Sequence, residues 1–128
     1  MRLRSPLGRV LGLGAAKEGV DHWWKQRVSA VGLVLLTLWF VFSLLFMGPS
    51  HYDTMQSWIE RPANAALLGL LVITLTYHSQ LGVQVVIEDY VSRKSIKVVS
   101  LIANQFVHIA LAAVALFAVL RAVFGSVA

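Results

Sequence analysis

The chain has 128 residues, of which 58% are hydrophobic and 13% charged, with no cysteine and a formal net charge of +5. Because a typical soluble chain is about half apolar and a quarter charged, and so short a chain cannot bury this much apolar surface alone, the composition excludes an ordinary soluble domain and indicates a membrane protein. The length leaves no room for a separate catalytic domain, and the lack of cysteine excludes disulfides, thiolate metal sites and iron–sulfur clusters ligated by this chain.

The positions of the basic residues decide between a nucleic-acid partner and a lipid bilayer. The 11 Lys and Arg residues lie at the ends of apolar runs, a distribution typical of membrane proteins. We therefore expect contact with the lipid bilayer and no binding of nucleic acid.

Three stretches lack formally charged residues: 28–47, 63–87 and 98–120. A helix of about 20 residues crosses a hydrocarbon core of about 30 Å, whereas an open sheet edge finds no hydrogen-bond partner in lipid. The sequence predicts an all-α membrane protein with three transmembrane helices that run up, down and up. A basic N-terminal segment over 1–27 precedes a single three-helix membrane domain over 28–128.

The loops between the spans are short. Gly48-Pro49-Ser50 ends the first span and Arg61-Pro62 precedes the second, since Gly and Pro interrupt helices. Consecutive spans are therefore expected to be antiparallel neighbours.

The distribution of Lys and Arg outside the spans predicts the orientation. Nine lie before the first span or between the second and third, and two lie on the other side. The positive-inside rule then places the N-terminus in the cytoplasm and the C-terminus in the periplasm, across a bacterial inner membrane. The Arg-rich, acid-poor start also resembles a mitochondrial transit peptide, which leaves the mitochondrial inner membrane as the alternative.

Aromatic and basic residues surround the start of the first span. Trp23 and Trp24 are expected at one membrane interface, with Tyr52 and Trp58 at the other. An arginine at the boundary, here Arg27, either snorkels to the interface or pairs with carboxylates. The spacing does not separate these two interpretations.

The second span carries a histidine within the hydrocarbon core. His78 lies nine residues before the end of the span, about 14 Å from it, and shares one helical stripe with Thr74, Gly82, Val85 and Asp89. A neutral imidazole can ligate haem iron through one nitrogen while a carbonyl or hydroxyl holds the other, and Gly82 leaves space for a flat macrocycle. Alternatively, His78 bonds a neighbouring helix and Gly82 permits close packing.

Two polar residues follow where the second span meets the interface. Tyr90 offers a phenol donor and Asp89 a carboxylate, and such a pair can hold and help to protonate a quinone carbonyl. The alternative is an acidic, aromatic helix end among the lipid headgroups.

The last span has a polar stripe of its own, at a spacing of four residues: Ser100, Asn104, His108 and Ala112. Small and hydrogen-bonding residues at this spacing usually join helices, so packing is favoured. His108 is nevertheless the main rival of His78 as a ligand.

Residues 77–91, with the sequence YHSQLGVQVVIEDYV, resemble the second helix of the small hydrophobic membrane anchor of succinate dehydrogenase. That family carries a histidine, a glycine four residues later and Asp-Tyr-Val beginning eleven residues after the histidine, all present here at matching spacing. The Arg27-Val28-Ser29-Ala30 start of the first span is similar to the family's Arg-x-Ser/Thr-Ala, and residues 22–27 resemble alphaproteobacterial members. The family's quinone-site serine belongs to the other anchor subunit, so Ser29 receives no role.

The resemblance implies a subunit of respiratory complex II rather than an enzyme by itself. In the family complex, a flavoprotein subunit oxidises succinate, an iron–sulfur subunit carries the electrons, and ubiquinone is reduced near the membrane. This chain would tether those subunits. With a second membrane-anchor (cytochrome b) subunit, it would form a helix bundle that shares one haem b and contributes to the ubiquinone site.

The resemblance also implies roles for individual residues. His78 matches the axial ligand of the haem iron, Gly82 the glycine one turn beyond it, and Arg27 an arginine near the haem propionates. Tyr90 matches the tyrosine that hydrogen-bonds the ubiquinone carbonyl, and Asp89 the neighbouring acid.

Two other functions are compatible with three spans. One is a haem-free membrane scaffold in which His78 only packs. The other is a small transporter subunit whose polar residues line a path, although the spans carry no formal charge and show no discontinuous helix or repeated half.

Overall fold

The computed structural model of the chain describes residues 16–48 and 51–125, which form helices and no strand. Helix α1 spans Ala16–Phe46, α2 spans Tyr52–Ile59, α3 spans Pro62–Tyr90 and α4 spans Lys94–Phe124. Among these, α1, α3 and α4 are long and apolar enough to cross a membrane. The predicted all-α architecture with three spans is confirmed.

Each long helix extends beyond the charge-free run that predicted it. The predicted segment 1–27 is helical from Ala16 onward, while its first 15 residues lie outside the described part of the chain. Helix α3 also continues into Glu88, Asp89 and Tyr90 at its C-terminal end, and α4 continues into charged residues at both ends. Charge-free length locates the hydrocarbon part of a helix but not its ends, because the backbone hydrogen bonds continue through the membrane interface.

Glycine and proline set the helix ends around the first loop, as predicted. Gly48 has a φ of +75°, the left-handed conformation that favours glycine directly after a helix. Pro62 occupies the first turn of α3, where its missing N–H is not needed for a helical hydrogen bond.

Helix α2, which is not predicted from the sequence, occupies the loop between α1 and α3. Trp58 stacks on Trp39 with ring centroids 5.7 Å apart, and its centroid lies 6.3 Å from that of Phe40. At the other side, the Gln56 side chain donates a hydrogen bond to the Ala122 carbonyl of α4. Trp58 therefore packs against protein, in addition to any contact with the membrane interface.

Helix α3 lies between α1 and α4 and is antiparallel to both. Between α1 and α3, Gly32 faces Thr74 and Ser29 faces His78. Residue numbers therefore increase along α1 in the direction in which they decrease along α3. The hydrogen bonds between α3 and α4 show the same antiparallel arrangement. Within the described residues, no Cα atom of α1 lies within 8 Å of one in α4. The up-down-up order is thus present as a row of helices.

Few side chains are buried within this row. In the described part of the chain they are Leu36, Leu81, Ser29 and Asn104. Most large apolar side chains face outward, where lipid or other subunits must cover them. The two buried polar residues lie in different seams between helices, and these seams hold the candidate chemistry.

Candidate functional site

The α1–α3 seam contains the stripe that carries His78. Its facing pairs are Gly32 with Thr74, Ser29 with His78, and Gln26 with Gly82. Consecutive pairs are about one turn apart on both helices, because residues three or four apart share a helix face. The stripe therefore faces one neighbouring helix, as its spacing predicts.

A buried serine holds one ring nitrogen of His78. Ser29 is 8% exposed, and its Oγ lies 3.0 Å from the Gln26 carbonyl oxygen and 3.0 Å from His78 Nδ1. A carbonyl oxygen only accepts, so the hydroxyl proton goes to Gln26 and the Ser29 oxygen accepts a hydrogen bond from Nδ1–H. The imidazole lone pair then lies on Nε2, for which the described residues supply no hydrogen-bond partner.

Gly82 leaves space for a methyl group one turn from His78. A Cβ atom at this position would have Gln26 Nε2 as its nearest neighbour, 3.9 Å away, which is ordinary van der Waals contact. Packing within the chain therefore tolerates a methyl group here, and the approach of α1 does not require glycine. The space is compatible with a planar group lying against the α3 backbone.

The α3–α4 seam uses its polar groups differently. Asn104 Nδ2 donates to the Gln80 carbonyl at 3.0 Å. In neutral His108, Nδ1–H donates to the Asn104 carbonyl at 2.8 Å, and Nε2 accepts from the Ser79 hydroxyl at 3.1 Å. Both ring nitrogens of His108 are therefore engaged within the chain. This favours helix packing over ligation for the stripe of the last span.

A metal on this chain would depend on a single side chain. The described residues contain no group of three or more His, Cys, Asp and Glu that could hold a metal ion. Haem iron needs only one or two axial ligands from protein, because the macrocycle supplies the others. With Nδ1 held and Nε2 free, His78 has the donor chemistry of an axial haem ligand, whereas His108 does not.

Arg27 lies on α1 away from the seam. It is two residues from Ser29, which places it on roughly the opposite side of the helix. Its guanidinium carbon is 5.4 Å from the centroid of the Trp23 ring, a cation–π contact. The side chain is exposed and forms no ion pair among the described residues. The structure does not bring Arg27 against His78, and the guanidinium is accessible to an external carboxylate.

Asp89 and Tyr90 lie at the C-terminal end of α3. Both are exposed, Tyr90 to 82%, and neither has a hydrogen-bond partner in the described part of the chain. The adjacent Glu88 is engaged, since its carboxylate accepts from Gln84 at 2.8 Å and its carbonyl from Lys97 at 2.7 Å. Asp89 and Tyr90 are therefore available to a molecule or subunit at this end of the helix row.

Two grooves open beside the α1–α3 seam, and both are lined by Lys25 and Tyr77. One, of about 660 Å³, is mainly apolar; the other, of about 520 Å³, is more polar. In the polar groove, His22 Nε2 is buried without a hydrogen-bond partner, and Lys25 pairs with Asp21 at 2.5 Å. The seam thus offers both apolar and polar surface to neighbouring molecules.

The stripe of His78 is predicted from the sequence, but its partner on α1 is not among the predictions. Ser29 has no role in the sequence-based prediction, yet it makes the seam's hydrogen bond to the imidazole. The usable signal is spacing: Ser29, Gly32 and the buried Leu36 lie on one face of α1. That face could have been matched to α3.

Comparisons with known proteins point to one family. The family described as succinate dehydrogenase/fumarate reductase transmembrane subunit matches residues 1–120. The succinate dehydrogenase hydrophobic membrane anchor subunit of Rickettsia bellii (strain RML369-C) is 37% identical over 106 residues, 83% of this chain and 85% of that protein. Proteins of the same name from Rickettsia conorii and Paracoccus denitrificans are 36% and 33% identical, over 62% and 70% of this chain and 64% and 70% of their own lengths. No solved structure matches the chain significantly.

Proposed function

This chain belongs to the succinate dehydrogenase/fumarate reductase transmembrane subunit family, and from that premise we propose that it is the hydrophobic membrane anchor of a succinate dehydrogenase. In this role it tethers a flavoprotein subunit and an iron–sulfur subunit, beside a second anchor (cytochrome b) subunit. The row of helices with few buried residues supports this role, because its outward apolar faces need lipid and partner helices to cover them.

The proposed location is a bacterial inner membrane, with the N-terminus cytoplasmic and the C-terminus periplasmic. The support is the excess of Lys and Arg before the first span and between the second and third. This orientation puts the C-terminal end of α3, with Asp89 and Tyr90, at the cytoplasmic interface, where the soluble subunits would dock.

The hydrogen bond between Ser29 and His78 carries the cofactor part of the proposal. It holds Nδ1 at 3.0 Å and leaves the Nε2 lone pair free, which is the form of imidazole that binds iron. His78 would hold a b-type haem shared with the partner anchor, Gly82 would leave room for it, and Arg27 would pair with a propionate. When bound, the haem supplies a one-electron redox centre inside the membrane.

Tyr90 and Asp89 form this chain's part of the proposed ubiquinone site. The phenol of Tyr90 donates a hydrogen bond to a quinone carbonyl, and the Asp89 carboxylate polarises the site and assists proton delivery. Eleven residues separate His78 from Asp89, or about 16 Å along the helix. The quinone would therefore lie near the interface and the haem deeper in the bilayer.

Purification of the tagged chain in mild detergent tests the proposed function. We expect a flavoprotein, an iron–sulfur protein and a second small membrane subunit to copurify, with sharp b-type bands in the dithionite-reduced-minus-oxidised spectrum. A colourless chain that copurifies with none of these subunits would contradict the proposal and favour a haem-free scaffold.

Replacement of Tyr90 by Phe tests the quinone site separately. The change removes one hydroxyl from a side chain that is 82% exposed, so the helix should tolerate it. Loss of a hydrogen bond worth about 1 kcal/mol slows quinone reduction by roughly fivefold, while succinate oxidation by a soluble dye is unchanged. Tyr52→Phe, also exposed but at the opposite end of the helix row, is the matched control. Equal loss in both assays would indicate failed assembly and contradict the assignment of Tyr90.

A further inference from the structure

The buried serine in the α1–α3 seam has a more specific role than joining two helices. We propose that Ser29 is a positioning residue that fixes His78 in the tautomer with its lone pair on Nε2. This inference rests on the proposed function, because a fixed tautomer matters only if His78 ligates a metal. It is carried by two distances, from Ser29 Oγ to the Gln26 carbonyl oxygen and to His78 Nδ1, both 3.0 Å.

The orientation of the Ser29 hydroxyl is set within α1 itself. Ser29 donates to Gln26, three residues earlier on the same helix, so the proton points along α1 and the oxygen lone pairs are left for α3. Ser29 is 8% exposed, which limits competition from water or lipid headgroups. A serine in this setting is an acceptor toward His78, because its one proton is already used.

An acceptor at Nδ1 has two consequences for the ring. The neutral imidazole is held as the Nδ1–H tautomer, and rotation about the side-chain bonds is restricted. The hydrogen bond also raises the basicity of Nε2, because electron density moves toward it when Nδ1–H is donated. A more basic axial ligand stabilises the ferric state relative to the ferrous state, so Ser29 lowers the reduction potential of a haem held by His78.

The α3–α4 seam provides a control pair of the same residue types, in which the serine donates to the histidine instead of accepting from it. Ser79 also bonds a histidine across a helix seam, at 3.1 Å from His108 Nε2. In that pair the second nitrogen of the ring is engaged by the Asn104 carbonyl. Removing the hydroxyl of Ser79 therefore loosens a seam without touching the proposed ligand.

The test compares Ser29→Ala, Ser29→Thr and Ser79→Ala in the intact purified complex. The measurements are haem loss to a scavenger protein, the midpoint potential of the haem and its ferric spectrum. For Ser29→Ala we expect haem retention to fall by about 10–100-fold, the usual effect of losing an outer-shell partner, and the midpoint potential to rise. Ser29→Thr keeps the hydroxyl and should restore the wild-type potential, and Ser79→Ala should match the wild type.

Three results would overturn the role of Ser29. They are a Ser29→Ala complex with wild-type haem retention and potential, a Ser29→Thr complex as altered as Ser29→Ala, and an equal shift in Ser79→Ala. His78→Ala separates this failure from failure of the proposed function. If His78→Ala loses the haem while Ser29→Ala does not differ from wild type, only the positioning role fails. If His78→Ala retains the haem, the ligand assignment itself is wrong and the positioning role fails with it.

Discussion

The two seams of the helix row each contain a histidine and a buried polar residue, yet they leave the imidazole in different states. In the α1–α3 seam, His78 has one nitrogen bound by Ser29 and one without a partner in the described chain. In the α3–α4 seam, His108 has both nitrogens bound, by Asn104 and Ser79. The seams are therefore built from the same residue types but are suited to different tasks.

Residue type and depth alone do not decide whether a membrane histidine is a ligand. An imidazole has two nitrogens, and a helix seam that satisfies both leaves no lone pair for a metal. Hydrogen bonds between helices in lipid are worth about 0.6 kcal/mol on average, so a fully satisfied histidine adds modest stability. A histidine with only one nitrogen hydrogen-bonded contributes about as much stability and keeps the lone pair of the other nitrogen for a metal.

The largest expected effect comes from removing each histidine in turn. In the purified complex, His78→Ala should abolish the b-type bands of the reduced-minus-oxidised spectrum, because the iron of the proposed haem would lose a direct ligand. The variant should still insert into the membrane, since one apolar substitution does not shorten a span of 29 residues.

His108→Ala is the matched control for His78→Ala. It removes one hydrogen bond across the α3–α4 seam, to Ser79, and one within α4, to the Asn104 backbone carbonyl. This loss lowers the thermal midpoint slightly but leaves the haem spectrum unchanged. Loss of haem only in His108→Ala would contradict this prediction and indicate that His108, in the α3–α4 seam, is the ligand.

Much of the fold can be predicted from the sequence because it follows from length and charge. The three spans need only charge-free runs long enough for a bilayer, and the loop ends need only Gly48 and Pro62. The short helix α2 is harder to predict, because its place depends on tertiary contacts such as the stacking of Trp58 on Trp39. A helix this short is marginal in isolation, so its formation depends on those contacts and not on local sequence alone.

The site could be predicted only in part, for a reason specific to membranes. A helix in lipid is apolar on every side, so hydrophobic periodicity does not show which face of α1 meets α3. His78 and Gly82 are identifiable because they are exceptions within an apolar helix. Ser29 follows the exposed Arg27 at the interface, where polar residues are ordinary, and its role depends on a residue 49 positions away.

The smallest expected effect comes from adding a methyl group at one glycine in each seam. A Cβ at Gly82 would lie 3.9 Å from Gln26 Nε2, and one at Gly69, in the α3–α4 seam, would lie 3.7 Å from Leu116. Neither contact is a clash, so both alanine variants should fold, and in each variant α3 gains up to about 1 kcal/mol from losing a glycine. If a planar group lies against Gly82, the added methyl overfills that space at a cost of about 1 kcal/mol, or roughly fivefold in haem affinity. We therefore expect Gly82→Ala to release haem faster than wild type and Gly69→Ala to match it. Equal haem release in the two variants would mean that no planar group lies against Gly82, and the α1–α3 seam would then differ from its neighbour only at His78.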